Sequence, residues 1–378
     1  MSKEKAKKVY IAMSGGVDSS VSAALLKEAG FDCVGVYMRQ WSPEILGKEC
    51  IWKTDRQDAM RVCAKLGIPF LTWDFSKEYE QQVGKYMIDS YKKGITPNPD
   101  VMCNKIIKFG LFFDRAMKAG ADFVATGHYA QTSLSKIPLA NQIFPAALLL
   151  RGPSPRKNLL APSKSLAPSL LKAVDKNKDQ TYFLYEIKRN QLNKILFPVG
   201  NLEKPEVRKL AKKFGLENAQ KKDSQGVCFI GQFNMKEFLK MYIKPKAGKI
   251  LDLQGKLIGS HDGVFYYTIG QRHGLDIKNG QGPYFVVRKD LKKNIIYVGA
   301  EKDLQFKKAK IVKINWIEKP EKFPVVLDVR ARYRAPLKKA TLDKNGNLIF
   351  KKGERALTSG QSAVFYKGNK VLGGGIIK

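Results

Sequence analysis

Lys8-Val9-Tyr10-Ile11-Ala12-Met13 runs directly into Ser14-Gly15-Gly16-Val17-Asp18-Ser19-Ser20. The first six residues read as a short buried strand. From Asp18 onward, Val21, Ala24, Leu25 and Ala29 recur at helical spacing, and Gly30 stops the helix. Between strand and helix lie two adjacent glycines, which let the backbone approach an anion with no Cβ in the way. The helix start that follows offers N–H donors and the positive end of the helix dipole. Ser14, Ser19 and Ser20 add hydroxyls. With no lysine, the loop is not a G-x-x-x-x-G-K-[ST] loop, and it does not fit G-x-G-x-x-G. An ordinary Gly-rich turn is the competing reading. The match along the loop, in a strand–loop–helix setting, weighs against it.

Outward from this loop the pattern alternates. Strands are predicted at 33–38, 68–73 and 122–126, and helices at 55–66, 76–91 and 104–119. Strands alternating with helices imply a parallel sheet covered on both faces, with ligands at the carboxyl ends of its strands. Residues 132–170 break the pattern with six prolines and almost no acid, and read as an inserted, partly disordered loop in which Ala146–Leu150 could form a strand. Helical patterning resumes at 179–195 and 204–214. From about Pro245 the segments become short, β-branched and aromatic, separated by Gly and Asn/Asp turns. Strands are predicted at 264–269, 284–288, 325–333, 348–351 and 362–366. The fold class expected is α/β: a Rossmann-like parallel sheet domain over 1–235, a small mostly-β central domain over 236–298 and a C-terminal β-barrel-like domain over 299–378.

The 378 residues include 68 Lys+Arg against 34 Asp+Glu, a formal charge of +34. Such an excess points to a polyanionic partner, nucleic acid first, with a Lys-rich proteome as the bland alternative. The absence of any apolar run near about 18 residues excludes an ordinary membrane span. The cysteines, 33, 50, 63, 103 and 228, are odd in number and none are spaced Cys-x-x-Cys. That disfavours a disulfide scaffold and a structural zinc site, and fits a reducing cytoplasm. No secretory or transit segment is apparent at the N-terminus. Cys103, just before the helix expected at Asn104, would have its thiolate stabilised by that helix start and by Lys105 and Lys108, with Asp100 near in sequence as acid or base. Cys33 and Cys63 read as small buried hydrophobes.

Ser14-Gly15-Gly16-Val17-Asp18-Ser19 resembles the PP-loop of ATP pyrophosphatases. Asn98-Pro99-Asp100-Val101-Met102-Cys103-Asn104, Gly127-His128-Tyr129-Ala130, Lys178-Asp179-Gln180-Thr181-Tyr182-Phe183-Leu184 and Asp223-Ser224-Gln225-Gly226-Val227-Cys228-Phe229-Ile230 narrow the match. Together with Tyr266–Arg272 and Ala331–Arg334 they resemble the bacterial tRNA-specific 2-thiouridylase family, over all but 132–170. The resemblance implies a transferase that uses ATP with Mg²⁺ to adenylate the C2 carbonyl oxygen of the wobble uridine of tRNA for Lys, Glu and Gln, then replaces that oxygen with sulfur. It implies an ATP site at Ala12, Met13, Ser14, Gly15, Gly16, Val17, Asp18, Ser19, Met38 and Gly127. It places the target base at Asn98, Pro99 and Asp100, and tRNA contacts at His128, Lys178, Asp179, Gln180, Arg332, Tyr333 and Gln361. It makes Cys228 the persulfide carrier and Cys103 the nucleophile, supplied by a sulfur-relay protein or cysteine desulfurase.

Arg332-Tyr333-Arg334 on a strand would put both arginines on one face and the tyrosine on the other. Three rivals stand beside this reading. One is another PP-loop tRNA enzyme, a lysidine or 4-thiouridine synthetase. The second is a non-catalytic basic RNA-binding protein. The third keeps the activity but adds an iron–sulfur cluster on Asp100 and the two cysteines.

Overall fold

The computed structural model describes residues 6–42, 51–133, 167–222, 235–277, 280 and 282–378. Cys50, Cys228, the segment 223–234 and the Ala146–Leu150 strand expectation lie outside them. The chain divides into two compact units. One comprises Met1–Tyr79, Cys103–Gly231 and Asn369–Val371; the other comprises Glu80–Met102, Gln232–Gly368 and Leu372–Lys378.

In the first unit β1 (Lys8–Met13) is buried from Val9 to Met13, so both faces of the strand are covered. It pairs in parallel with β2 (Asp32–Arg39), which pairs in parallel with β3 (Phe70–Asp74). On its other side it pairs with β4 (Phe123–Thr126). Two short strands, β5 (Ala130–Thr132) and β6 (Leu170–Lys172), pair antiparallel, and Lys370 and Val371 add to β6. β7 (Ile195–Leu196) completes the parallel sheet, whose order is β3-β2-β1-β4-β7. Connections leave β1 toward one side and return to β4 on the other. That reversal opens a crevice at the carboxyl ends of β1 and β4, where such sheets bind ligands.

Helix α1 (Val17–Glu28) packs closely because it buries small residues, Ser19, Ser20, Ser22, Ala23 and Ala24. It joins Val9, Ile11, Met13, Val21, Leu25 and Ala125 in one core with Ala59 and Cys63 of α2 (Ile51–Leu66). The inserted segment begins and ends on a ladder. Ser133 N donates to Ser169 O at 3.1 Å, so the last residues assigned to the loop from sequence belong to β structure. The helical expectation over 179–195 fails: only short 3₁₀ turns form, Thr181–Phe183 and Arg189–Lys194. Local turn bonds from Asp175 and Asp179 take up the backbone there.

The second unit carries two β modules. β8 (Gly248–Leu251), β9 (Leu257–His261), β10 (Phe285–Asp290) and β11 (Ile295–Gly299) form a sheet in the order β10-β11-β8-β9. Val264–Tyr266 is a 3₁₀ turn and not the expected strand. β12 (Gln305–Trp316), β13 (Val325–Arg330), β14 (Lys338–Leu342), β15 (Asn347–Arg355), β16 (Ser362–Lys367) and β17 (Lys370–Ile377) close into a six-stranded antiparallel barrel. Its interior takes alternate residues, among them Leu327, Val329, Ala340, Leu342, Phe350 and Phe365. The chain as a whole is α/β.

Phe365 is fully buried in the barrel core. Phe365→Ala is expected to cost about 3–5 kcal/mol in urea unfolding. A loss under about 1 kcal/mol would contradict a filled, closed barrel.

Candidate ATP and thiol site

The glycine loop is built by its own side chains. Gly15 has φ +74°, a left-handed conformation, and a Cβ there would collide with the Asp55 carbonyl. Ser14 N donates to Ser19 Oγ at 3.2 Å, and Gly16 N donates to Ser14 Oγ at 3.3 Å. Ser19 Oγ and Ser20 Oγ donate to Gly16 O at 3.1 and 2.9 Å. Gly16 occupies the N-cap of α1 and no side chain caps the first turn. The helix therefore starts with donors that suit an oxyanion.

Asp18 would repel a phosphate at that helix start. Its charge is balanced: Lys204 Nζ lies 2.6 Å from Asp18 Oδ1, and Tyr129 OH donates to the same oxygen at 3.0 Å. Lys204 is itself buried, in the first turn of the helix Lys204–Lys213, where its amide donates to Asp175 Oδ2 at 3.0 Å. Asn218 Nδ2 donates to Gly15 O at 3.0 Å and to Ser20 Oγ at 2.9 Å, while its Oδ1 is buried with no partner. Beside the loop, Lys221 bridges Asp55 and Asp58 at 2.7 and 2.6 Å. Burial opposes the Lys221 charge, but the bonds to Asp55 and Asp58 hold its pKa above the usual value. Lys204, Tyr129 and Asn218 are not assigned roles by sequence reasoning. Lys204 and Asn218 lie some two hundred positions away, and only Tyr129 sits in a motif.

Gly127 follows β4, and a Cβ on it would press on the backbone of Asp18 and Ser19. Ala12 and Met13 end β1, buried, and Met38 lies near the end of β2, half-buried. These are the strand ends that face the crevice. Among the described residues no group of three His, Cys, Asp or Glu side chains could hold a metal ion.

His128 is buried, with Phe109 and Phe197 against its ring. Lys108 Nζ lies 3.3 Å from Nε2 and Thr126 Oγ1 lies 2.8 Å from Nδ1. An ammonium only donates, so Nε2 accepts and Nδ1–H donates to Thr126. Burial, aided by Lys108, pushes the His128 pKa well below the usual imidazole value. Asp179 is also buried and accepts from Thr181 Oγ1 at 2.8 Å. Gln180 pairs with the Tyr129 backbone twice at 2.9 Å, through its Oε1 and its amide. Lys178 is half-buried on the same turn.

Cys103 is fully buried, with Gln40 Nε2 3.9 Å from its Sγ. The expectation that it precedes a helix is corrected: the helical run starts at Pro99, and Cys103 opens a stretch of wider π-type turns, Cys103–Phe112. Asn98 Oδ1 accepts from Val101 N at 3.3 Å, so Asn98 starts the helix with Pro99 in its first turn. Lys105 pairs with Glu186 at 2.9 Å, and Lys108 Nζ lies 3.3 Å from His128 Nε2.

In the second unit, β13 ends at Arg330, and Arg332-Tyr333-Arg334 forms a turn in which Arg334 has φ +62°. The alternating-face expectation therefore fails. Arg334 instead lies over the Tyr333 ring at 5.3 Å. Gln361 Nε2 donates to the carbonyls of Thr96 and Pro97 at 3.1 and 3.0 Å.

Gly127→Ala should push α1 from the strand end. We expect a loss of about 1–3 kcal/mol in stability and weaker ATP binding by calorimetry; parental affinity would contradict the close approach. Burial pushes the thiols of Cys33 and Cys63 up to about 11 and about 12. At pH 8 the Cys33 thiolate fraction is then roughly one in a thousand. Both should resist iodoacetamide in the folded protein and react on unfolding, as read by peptide mass spectrometry.

The family model described as "tRNA methyl transferase HUP domain" matches residues 7–232. A "tRNA methyl transferase PRC-barrel domain" matches 236–300, and an "Aminomethyltransferase beta-barrel domain" matches 306–377. The chain is 42% identical to the tRNA-specific 2-thiouridylase MnmA of Geobacillus thermodenitrificans over 379 residues, 98% of this chain and 94% of that protein. It is 43% identical to that of Halalkalibacterium halodurans over 378 residues, 98% of this chain and 94% of the relative. To that of Streptococcus sanguinis it is 42% identical over 381 residues, 98% of this chain and 95% of the relative. With such identity along nearly its full length, the chain belongs to the tRNA-specific 2-thiouridylase family.

Proposed function

We propose that this protein is an ATP-dependent tRNA-uridine 2-sulfurtransferase acting on the wobble uridine, position 34, of tRNA for Lys, Glu and Gln. The observation that carries the reading is the glycine loop at the sheet's crevice, with Asp18 neutralised by Lys204 at 2.6 Å and the α1 amides left uncapped. Methyl transfer, which the family-model names suggest, has no need of a phosphate cradle.

In this proposal ATP is held by residues 12–19, Met38 and Gly127, with Mg²⁺ accompanying its phosphates. The uridine base leaves its stack to meet Asn98, Pro99 and Asp100. Its C2 carbonyl is a poor electrophile. The O2 oxygen attacks the α-phosphate and expels pyrophosphate, which makes O2 part of a leaving group. The terminal sulfur of a Cys228 persulfide attacks C2, and AMP departs with the original oxygen. The Cys103 thiolate then attacks the Cys228 sulfur, releases the C2 sulfur and leaves a Cys103–Cys228 disulfide, which an external dithiol reduces. Asp100 serves as acid or base. For Cys103, buried as it stands, local rearrangement precedes attack.

Lys178, Arg332 and Tyr333 are the proposed direct tRNA contacts. His128, Asp179, Gln180 and Gln361 serve tRNA by shaping the segments around it. The working blocks are 1–235 for ATP and sulfur chemistry, 236–298 as a central module and 299–378 as a barrel. A cysteine desulfurase or sulfur-relay protein charges Cys228, in the cytoplasm. Among the described residues no helix is long and apolar enough to cross a membrane.

The test is nucleoside mass spectrometry of tRNA incubated with the protein, ATP and a sulfur donor. We expect 2-thiouridine at position 34, falling to background in Cys103→Ala and Cys228→Ala. Full thiolation by either variant would overturn the mechanism. A lysine adduct on cytidine instead would favour a lysidine synthetase.

A further inference from the structure

Lys289 carries no role in the reading above, yet it is turned inward. It lies on β10, and its Nζ donates to Gly94 O and to Tyr267 O, both at 2.8 Å. Gly94 ends the helix Lys85–Lys92 with φ +67°, Gly94 N bonding Tyr91 O at 2.8 Å and Ile95 N bonding Ser90 O at 3.0 Å. Four residues later the chain reaches Asn98, which starts the helix carrying Pro99 and Asp100.

The short span from Gly94 to Asn98 is held at each step. Thr96 N donates to Ser359 O at 3.0 Å, and Thr96 Oγ1 lies 3.2 Å from Thr268 Oγ1. Gln361 takes the carbonyls of Thr96 and Pro97. Irregular spans this short have no ladder of their own, so such bonds fix where their end points. Lys289 supplies the anchor at the start and Gln361 the anchor at the end.

We infer that Lys289 is a positioning residue: together with Thr268 and Gln361 it clamps residues 94–98, and so aims Asn98-Pro99-Asp100 at the base to be modified. This rests on the proposed function. It assigns the Tyr266–Arg272 motif a job through Tyr267 and Thr268, holding a loop and not touching RNA. The amine works as a two-pronged spacer and not as a phosphate-binding charge. Burial pushes its pKa down to about 8, and the neutral form still has two N–H donors for two carbonyls.

The experiment compares the parent with Lys289→Met, which keeps the stem and removes the donors. Thiolation kinetics, tRNA binding against salt and amide exchange of residues 94–101 are measured. We expect kcat to fall at least about tenfold with KM for tRNA within about threefold. The log–log salt slope should not change, whereas a lost phosphate contact would weaken it by roughly 0.7–0.9. Exchange in 94–98 should quicken about tenfold or more, with little change elsewhere. In the double variant with Gln361→Leu the two losses should be less than multiplicative, because either release frees the same loop. Unchanged kcat and exchange would overturn the inference, as would a raised KM with a weaker salt slope. If Lys289→Met does not fold, Thr268→Val, which removes a single hydroxyl pair, is judged by the same kinetics and exchange. A parent protein that makes no 2-thiouridine sinks the functional reading, but the exchange result still decides the clamp.

Discussion

The first unit depends on the meeting of two strand ends with one helix start. Gly127 brings the end of β4 against the backbone of Asp18 and Ser19, at the first turn of α1. That contact sets the width of the crevice where β1 gives way to the loop. Once it is in place, a carboxylate stands in the mouth of the proposed anion site. Only a pairing as close as Lys204 and Tyr129 on Asp18 makes it tolerable there. Asp175 fixes the Lys204 amide and also turns the segment carrying Lys178. The glycine loop and the 175–180 turn are thus parts of one hydrogen-bonded assembly.

Several residues expected at the tRNA hold other residues still. His128, Asp179 and Gln180 come from motifs that read as RNA contacts. Their side chains are spent on Thr126 and Lys108, on Thr181, and on the Tyr129 backbone. Gln180 and His128 brace the stretch that follows β4, and Asp179 holds its own turn through Thr181 and the Ala173 amide. Gln361 does the same for Thr96 and Pro97 in the second unit. A motif can persist because its members form the frame, and a buried polar group left without its partner is costly.

What was legible in the sequence was local. The order of β1, loop and α1 follows from one continuous stretch of apolar run, glycines and helical spacing. The barrel strands were readable in part as short β-branched runs between Gly and Asn/Asp turns, as at Val325–Arg330. Lys204 and Asn218 were invisible because their partners lie 186 and 203 residues away. Cys103 was placed just before a helix expected at Asn104, whereas Asn98 and Pro99 begin the helical run five residues earlier in the chain. Arg332–Arg334 looked like a strand because alternation carries no information about φ, and Arg334 turns left-handed. The charge of +34 gained a candidate partner, though Lys204, Lys221 and Lys289 show that some lysines serve inside the protein.

The central claim is that this loop spends ATP on moving one oxygen out of uridine. It is tested most directly with tRNA carrying ¹⁸O at the C2 carbonyl of the wobble uridine, incubated with the protein, ATP and a sulfur donor. The account predicts that the label leaves in the phosphate of AMP, one ¹⁸O for each thiouridine formed. AMP without label, or a label retained in the tRNA while ATP is consumed, would contradict it.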